Sequence, residues 1–251
     1  MRQAIDAFWT GGWDSSYRVI QAALVEQRDV RPHYIIDPVR RSSLHELQAI
    51  STIRSALRRL DPAAADRIQE LRITPIMEIP EDTRIMAAYR GMRASAYLGG
   101  QYVWLANYAQ SRGLERLELS VHVDDKAYHF LRGKVEETDE GIWQLSDDVV
   151  GHERELFSRF TFPLLTLSKL QMREQASRHG FLEVLENAWF CYHPLGGRPC
   201  GVCNPCQFTM EEGLSYRLPW QGRLRYRLRF LRQVLQAQRA LVRKGRRVLA
   251  R

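Results

Sequence analysis

The chain has 251 residues, of which 45% are hydrophobic and 26% charged, enough for one sizeable α/β domain with a small appendage. No stretch approaches the roughly 20 uninterrupted apolar residues of a membrane span, and the first residues lack the apolar run of a signal peptide, so we expect a cytoplasmic protein without a transmembrane segment. The formal charge of +8 is concentrated, because residues 222–251 hold eleven Lys and Arg and no Asp or Glu, which leaves −3 for residues 1–221. A generally basic, nucleic-acid-coating protein is therefore excluded.

The predicted elements alternate between strand and helix up to residue 121. In chain order they are strand 4–9, helix 17–25, strand 32–37, helix 43–60, strand 71–77, helix 95–112 and strand 117–121. This alternation indicates an α/β fold with a parallel twisted sheet and helices on both faces, and Pro75 favours an edge position for the third strand. Ligands bind beyond the carboxyl ends of such strands, so Asp14, Asp37 and the segment after Val121 should converge on one crevice.

The segment 124–160 has no clear period and predicts either a partly mobile lid over the crevice or a surface insertion without a role. Ser168 then caps a predicted helix that ends at Gly180. Lys169 falls at the first helical position, where a lysine either faces a ligand at the helix N-terminus or is simply solvated.

A glycine turn lies between the first predicted strand and helix. Gly11 and Gly12 permit a tight turn and a close approach of the backbone. The free N–H groups and the dipole at a helix start favour an anion, and Ser15 and Ser16 add hydroxyl donors. The pattern indicates a phosphate-binding turn; the alternative is an ordinary strand–turn–helix capped by Asp14 or Ser15. It is neither a Walker loop nor a dinucleotide fingerprint.

All the cysteines of the chain fall within sixteen residues. Four thiolates at this density suit a tetrahedral Zn²⁺ with a structural role, and the alternative is an iron–sulfur cluster. His193 is read as a neighbour of the site or as unrelated to it. The predicted ligands are Cys191, Cys200, Cys203 and Cys206.

The last thirty residues are predicted to form a basic helical tail. Its apolar positions are Leu224, Leu228, Leu231, Leu235 and Val242. Such a helix either binds an anionic partner or packs on the body by its apolar stripe. The anionic partners that suit it are a membrane surface, nucleic acid, and an acidic protein or substrate. Alternating arginines at 223–229 also allow an extended start. We therefore predict three parts: residues 1–180, a zinc-binding lobe at 181–221 and the tail at 222–251.

Two motifs resemble one family. The run Thr10-Gly11-Gly12-Trp13-Asp14-Ser15-Ser16 resembles the pyrophosphate loop of the N-type ATP pyrophosphatases, the PP-loop proteins. Together with Ser168-Lys169, Arg93 and the Trp189-to-Cys206 cysteine segment, it resembles the 7-cyano-7-deazaguanine synthases of the queuosine pathway, over roughly residues 4–213. The resemblance implies a Rossmann-like PP-loop fold and a tendency to form homodimers.

The resemblance also implies roles for individual residues. In this family a carboxylate is activated by ATP as an acyl-adenylate, pyrophosphate leaves, and ammonia or another amine gives an amide and then a nitrile. Catalytic roles are implied for Asp14, Ser15, Arg93 and Lys169. Binding of ATP and Mg²⁺ is implied for Thr10, Gly11, Gly12, Asp14, Ser15, Ser16, Asp37 and Lys169.

Three segments depart from the family pattern. Only Asp37 is retained in residues 37–43, Ala94 replaces an Asn, and residues 122–126 replace a stretch that holds the deazaguanine. ATP handling is thus expected with 7-carboxy-7-deazaguanine or a related acid. One alternative is the same chemistry on a protein or tRNA acceptor, with the basic tail as docking element. The other is a zinc-stabilised nucleotide-binding module without catalysis.

Overall fold

The computed structural model describes residues 4–229, and within them seven strands form one sheet. In chain order the strands are β1 (Ile5–Phe8), β2 (Val30–Ile36), β3 (Arg72–Pro75), β4 (Leu117–Glu118), β5 (Val135–Glu137), β6 (Trp143–Leu145) and β7 (Phe160–Phe162). Their order across the sheet is β3-β2-β1-β4-β7-β6-β5. The expected α/β class is confirmed, and β3 lies at an edge as Pro75 indicated.

One edge of the sheet corrects the prediction of an all-parallel arrangement. β6 pairs antiparallel with both β7 and β5, while the other neighbouring pairs are parallel. Part of the segment 124–160 therefore extends the sheet instead of forming a lid or a free insertion. Its strands have only three residues each, too short to show an alternating pattern in the sequence.

Along the chain, the helices lie between the strands or after the last strand. In the described residues they are α1 (Trp13–Ile20), α2 (Ser43–Leu60), α3 (Pro62–Arg67), α4 (Thr83–Ser95), α5 (Gln101–Ser111), α6 (Tyr128–Leu131), α7 (His152–Phe157), α8 (Lys169–Arg178), α9 (Leu182–Leu185), α10 (Asn204–Glu211) and α11 (Trp220–Arg227). α1 starts earlier than predicted and continues as a π-helical turn, Gln21–Val25. None of the described helices is long and apolar enough to cross a membrane.

The helix α4 is absent from the sequence prediction, which instead started one helix at residue 95. The side chain of Asp82 caps α4 by accepting hydrogen bonds from the N–H groups of Arg84 (2.7 Å) and Ile85 (3.3 Å). Ile85 and Met92 are buried, at the spacing of one helix face. The prediction of a helix over 95–112 is wrong at its start, because Ala96 is extended and the next helix begins at Gln101.

The described residues divide into two compact units, a first unit ending at Trp189 and a second unit beginning at Phe190. The predicted boundaries at 180 and 221 stay a prediction. The start of the basic tail is helical in α11, so the extended start is wrong. Leu231, Leu235 and Val242 of the tail lie outside the described residues.

A buried ion pair ties α1 to β4 inside the first unit. The Arg18 guanidinium donates to both carboxylate oxygens of Glu118, at 2.7 and 2.9 Å, and both residues are buried. Arg18 also donates to Glu26. Burial alone would lower the pKa of Arg18, but attraction to Glu118 and Glu26 and hydrogen bonds to both raise it above its ordinary value. This pair fixes the helix that follows the glycine turn against the centre of the sheet.

Candidate functional site

The glycine turn lies beyond the carboxyl end of β1, between β1 and α1. Gly11 has φ +69°, and a Cβ at this position would lie 2.6 Å from the backbone oxygen of Glu46. The Gly11 carbonyl accepts a hydrogen bond of 2.7 Å from the N–H of Trp189. The backbone here is therefore held closely from two sides, and only glycine fits without strain.

We expect Gly11→Ala to lower the free energy of unfolding by about 1–3 kcal/mol, because it adds both a left-handed alanine and a clash with backbone. Chemical denaturation of both proteins measures this difference. Gly100→Ala is the matched control, since Gly100 has φ −60° and its nearest contact for a Cβ is at 3.6 Å. Wild-type stability of Gly11→Ala would contradict the account of the turn.

The hydroxyl groups of Thr10 and Ser15 lie together in the turn, whereas that of Ser16 is buried behind it. The Ser15 hydroxyl accepts from the N–H of Thr10 at 3.2 Å and lies 3.1 Å from the Thr10 hydroxyl. Ser16 is fully buried, and its hydroxyl accepts a hydrogen bond of 3.0 Å from the indole N–H of Trp9. Gly12 is the N-cap of α1 and supplies no side-chain cap. The helix start is therefore open to an anion, with Thr10 and Ser15 beside it and Ser16 behind it.

A carboxylate, a lysine and an imidazole meet next to the turn. Asp14 Oδ2 lies 3.7 Å from Lys169 Nζ and 3.7 Å from His122 Nε2. The other oxygen, Oδ1, is buried and accepts no hydrogen bond within the described residues. Because buried polar atoms nearly always have a partner, this oxygen indicates a place for a bound cation, water or ligand.

The loops after β4 and β7 carry these two partners of Asp14. Lys169 is the first residue of α8, and Ser168 caps that helix through a reciprocal capping box with Gln171. The N–H of Val123 donates to the carbonyl of Leu167 at 3.3 Å, which joins the two loops. Lys169 therefore has a fixed place at the carboxyl edge of the sheet, where the fold positions ligands.

His122 is a site residue that the sequence analysis did not identify. It is buried, and its Nδ1 accepts a hydrogen bond of 3.3 Å from the N–H of Asp124. This bond assigns the ring proton to Nε2, which faces Asp14. Its signal in the sequence is its place just after β4, in the segment after Val121 that is predicted to share a crevice with Asp14, although the pattern does not single out the histidine.

Asp37 and Arg93 have no hydrogen bond or ion pair with Asp14 or Lys169 in the described part of the chain. Asp37 Oδ1 accepts from the N–H of Val39 at 3.0 Å, in the loop after β2. Arg93 is exposed in the last turn of α4, with its guanidinium carbon 5.8 Å from the centre of the Tyr89 ring. Their roles in binding and catalysis stay predictions.

The divergent segment 37–43 is anchored by a buried carboxylate. Glu46 accepts hydrogen bonds from the hydroxyls of Tyr34 (2.8 Å) and Ser42 (2.7 Å) and pairs with Arg40 at 3.1 Å. Burial, together with the charge of Glu46, raises the pKa of Tyr34 above its ordinary value. The loop that flanks the glycine turn is thus held in place by hydrogen bonds and an ion pair to Glu46.

The second unit contains a cluster of four sulfur atoms. The Sγ atoms of Cys191, Cys200, Cys203 and Cys206 all lie within 4.8 Å of one another. Cys200 and Cys206 are 3.8 Å apart, and Cys203 and Cys191 are 3.9 Å apart. Ligands about 2.3 Å from one tetrahedral ion lie about 3.8 Å from each other, so the cluster fits a single metal ion. Cysteines that bind different irons of an iron–sulfur cluster would be farther apart.

Further donors support thiolate charge in this cluster. The N–H of Cys200 donates to Cys191 Sγ at 3.2 Å, and the N–H of Cys203 donates to Cys200 Sγ at 3.3 Å. Hydrogen bonds with Cys191 and Cys206 lower the pKa of Cys203 well below its ordinary value. Hydrogen bonds with Cys191 and Cys203 raise the pKa of Cys206, and the hydrogen bond with Cys203 raises the pKa of Cys191. One thiolate, that of Cys203, is thus favoured without a metal, and binding of a metal would release the protons of the other ligands.

We expect the purified protein to contain about one metal ion per chain, and Cys206→Ser to lose it, because one of four ligands is removed. Elemental analysis gives the metal content, and limited proteolysis after Phe190 reports the order of the second unit. Val202→Ser, an exposed change in the same loop, should keep the ion. A metal content unaffected by Cys206→Ser would contradict this assignment.

Part of the sequence is similar to a known protein. No protein-family profile matches the sequence. The chain is 34% identical over 102 residues to the 7-cyano-7-deazaguanine synthase of Synechococcus sp. (strain CC9902), a match that covers 39% of this chain and 42% of that synthase. The chain therefore spans less than half the length of this relative. The similarity supports a distant relationship to that synthase.

Proposed function

We propose that the chain is an ATP-dependent synthase that activates a carboxylic acid as an acyl-adenylate with release of pyrophosphate. The observation that carries this proposal is the convergence of the glycine turn, Asp14 and Lys169 at the carboxyl edge of the sheet. An open helix start and an ammonium group suit a polyphosphate, and the partial match to a synthase supports the same chemistry.

In this reaction, the residues of the site would bind phosphate, neutralise charge or orient Asp14. The N–H groups at the start of α1 and the Thr10 and Ser15 hydroxyls would hold the phosphate oxygens. Lys169 would neutralise the charge that grows on the departing pyrophosphate. Mg²⁺, held near Asp14, would supply further neutralisation of phosphate charge when bound. His122 and Lys169 would hold the Asp14 carboxylate in one orientation.

The proposed reaction has two steps, adenylation of the acid and transfer of the acyl group to an amine. A carboxylate oxygen of the substrate attacks the α-phosphorus, the bond between that phosphorus and the bridging oxygen breaks, and pyrophosphate leaves with the electron pair. Ammonia or an amine then attacks the acyl carbon, AMP leaves with the carboxylate oxygen, and the nitrogen loses a proton. A nitrile product would require a second activation, of the amide. We propose 7-carboxy-7-deazaguanine or a related acid as the substrate.

The metal ion of the second unit is proposed to be Zn²⁺ with a structural role. Four sulfur ligands complete a tetrahedral site and leave no position open for a substrate. No step of the proposed reaction passes through this ion.

The experiment that tests the proposed site supplies the protein with ATP, Mg²⁺, 7-carboxy-7-deazaguanine and ammonium, and measures AMP and pyrophosphate. Asp14→Ala combined with Ser15→Ala should abolish their release, whereas Asp66→Ala, an exposed change on α3, should not. Undiminished turnover by the double variant would rule out this site. AMP release only when a protein or tRNA acceptor replaces this acid would favour a macromolecular acceptor, and no AMP release with any acceptor would favour an inactive module.

A further inference from the structure

One side of α11 is fixed within the second unit. Gly222 is buried, and a Cβ on Gly201 would lie 2.0 Å from the Gly222 carbonyl oxygen, so the two backbones are in direct contact. Arg225 Nε donates to the carbonyl of Cys200 at 2.6 Å, and the Tyr226 hydroxyl donates to Glu211 at 3.2 Å. These contacts hold α11 against the loop that carries the cysteines.

The opposite side of α11, which we call the outer face, is exposed. It consists of Trp220, Arg223, Leu224, Arg227 and Leu228, at the spacing i, i+3, i+4, i+7 and i+8 of one helix face. Trp220 is 64% exposed, Leu224 47% and Leu228 42%. Neither arginine of the outer face forms an ion pair or hydrogen bond within the described residues. A row of apolar side chains thus lies in water beside a row of two unpaired cations.

We propose that the outer face binds the surface of an anionic phospholipid bilayer. Trp220, Leu224 and Leu228 would enter the boundary between headgroups and acyl chains, where an aromatic ring and leucines gain by leaving water. Arg223 and Arg227 would extend alongside them to the lipid phosphates. This binding is independent of the proposed reaction, because the glycine turn belongs to the first unit.

The distribution of charge in the chain fits this partner. Residues 222–251 hold eleven Lys and Arg and no Asp or Glu, while residues 1–221 carry −3. Attraction to an anionic surface is therefore concentrated at the end of the chain where the outer face lies. Apolar residues continue in the sequence at Leu231, Leu235 and Val242, beyond the described residues.

Other occupants fit the outer face less well. A second copy of the chain that docked through the same face would bring the arginines of two outer faces into one interface, with no acidic residue on either face to offset their charge. RNA would use the arginines and stack on Trp220, but it would leave Leu224 and Leu228 without a partner. A bilayer surface contacts both the apolar row, through its acyl chains, and the arginines, through its phosphates.

The test is sedimentation of the full chain with vesicles of phosphatidylcholine and phosphatidylglycerol in about a 2:1 ratio. We expect binding to these vesicles and at least about tenfold weaker binding to pure phosphatidylcholine. Leu224→Glu with Leu228→Glu, and separately Arg223→Glu with Arg227→Glu, should each weaken binding at least about tenfold.

Matched controls separate the outer face from overall charge. Leu44→Glu with Leu60→Glu changes two exposed leucines on α2 (77% and 48%), and Arg84→Glu with Arg90→Glu changes two exposed arginines on α4. Both controls should bind within about twofold of the wild type. The proposal is overturned if the unmodified chain does not bind the anionic vesicles, or if the leucine variant binds as well as the wild type. Tighter binding of tRNA than of vesicles, lost only in the arginine variant, would also overturn it in favour of RNA.

Discussion

Glu118→Gln is expected to lower the free energy of unfolding by about 3–5 kcal/mol, the largest stability loss that we predict for a single change. The substitution removes the charge of Glu118 but keeps its shape, and it leaves Arg18 charged in a buried position between α1 and β4. Without the charge of Glu118, the buried guanidinium keeps only the partly exposed carboxylate of Glu26 as counter-charge, and an incompletely neutralised buried charge costs more than the loss of one hydrogen bond. Urea denaturation followed by circular dichroism measures the difference.

The control for this prediction removes the other carboxylate that binds Arg18. Glu26 is partly exposed, so Glu26→Gln should cost about 1 kcal/mol or less. The double variant Arg18→Met with Glu118→Leu should recover most of the stability lost in Glu118→Gln, because it replaces the pair by apolar groups of similar size. A loss of under about 1 kcal/mol in Glu118→Gln would show that the buried pair does not fix α1.

Lys169→Met should lower the rate of pyrophosphate release at least about 100-fold, the second large effect that we predict. The lysine is the cation nearest to Asp14 on the side of α8, and a methionine of similar length cannot neutralise charge on a leaving pyrophosphate. Turnover with saturating ATP and acid measures this loss. The free energy of unfolding should change little, because the Lys169 side chain is not fully buried.

Lys134→Met is the matched control for this change. Lys134 also pairs with a carboxylate, that of Glu153, but it lies in the loop before β5, away from the glycine turn. We expect its rate to remain within about twofold of the wild type. Equal rates for Lys169→Met and Lys134→Met would remove Lys169 from the reaction and leave it as a solvated helix residue.

The elements that the sequence predicts best are those with long patterns or strong boundaries. The apolar strands that became β1 and β2, the helix over 43–60 and the Ser168 cap of α8 all have such signals. Sequence patterns fail where an element is short or where tertiary pairing decides its state. β5, β6 and β7 have three residues each, and β4 has two. Strands this short have no detectable sequence pattern, so the antiparallel edge cannot be predicted from the sequence.

In the candidate site too, features set by neighbouring residues can be predicted from the sequence, whereas contacts between distant segments cannot. The glycine turn is local, because Gly11 and Gly12 follow a strand directly, and the motif identifies it without a structure. The positions of Lys169 and His122 beside Asp14 depend on loops more than 100 residues away, which only the order of strands brings together. The buried pair of Arg18 and Glu118 has no sequence signal, because each charge alone would be read as exposed.

The measurement that tests the central claim most directly follows oxygen from the acid to the nucleotide. The protein is incubated with ATP, Mg²⁺, ammonium and 7-carboxy-7-deazaguanine whose carboxylate carries ¹⁸O, and the products are analysed by mass spectrometry. Activation as an acyl-adenylate predicts pyrophosphate without label and AMP with one ¹⁸O atom, because the attacking oxygen stays on the α-phosphorus. Formation of ADP and labelled inorganic phosphate would contradict this account, since it would place the attack on the γ-phosphorus.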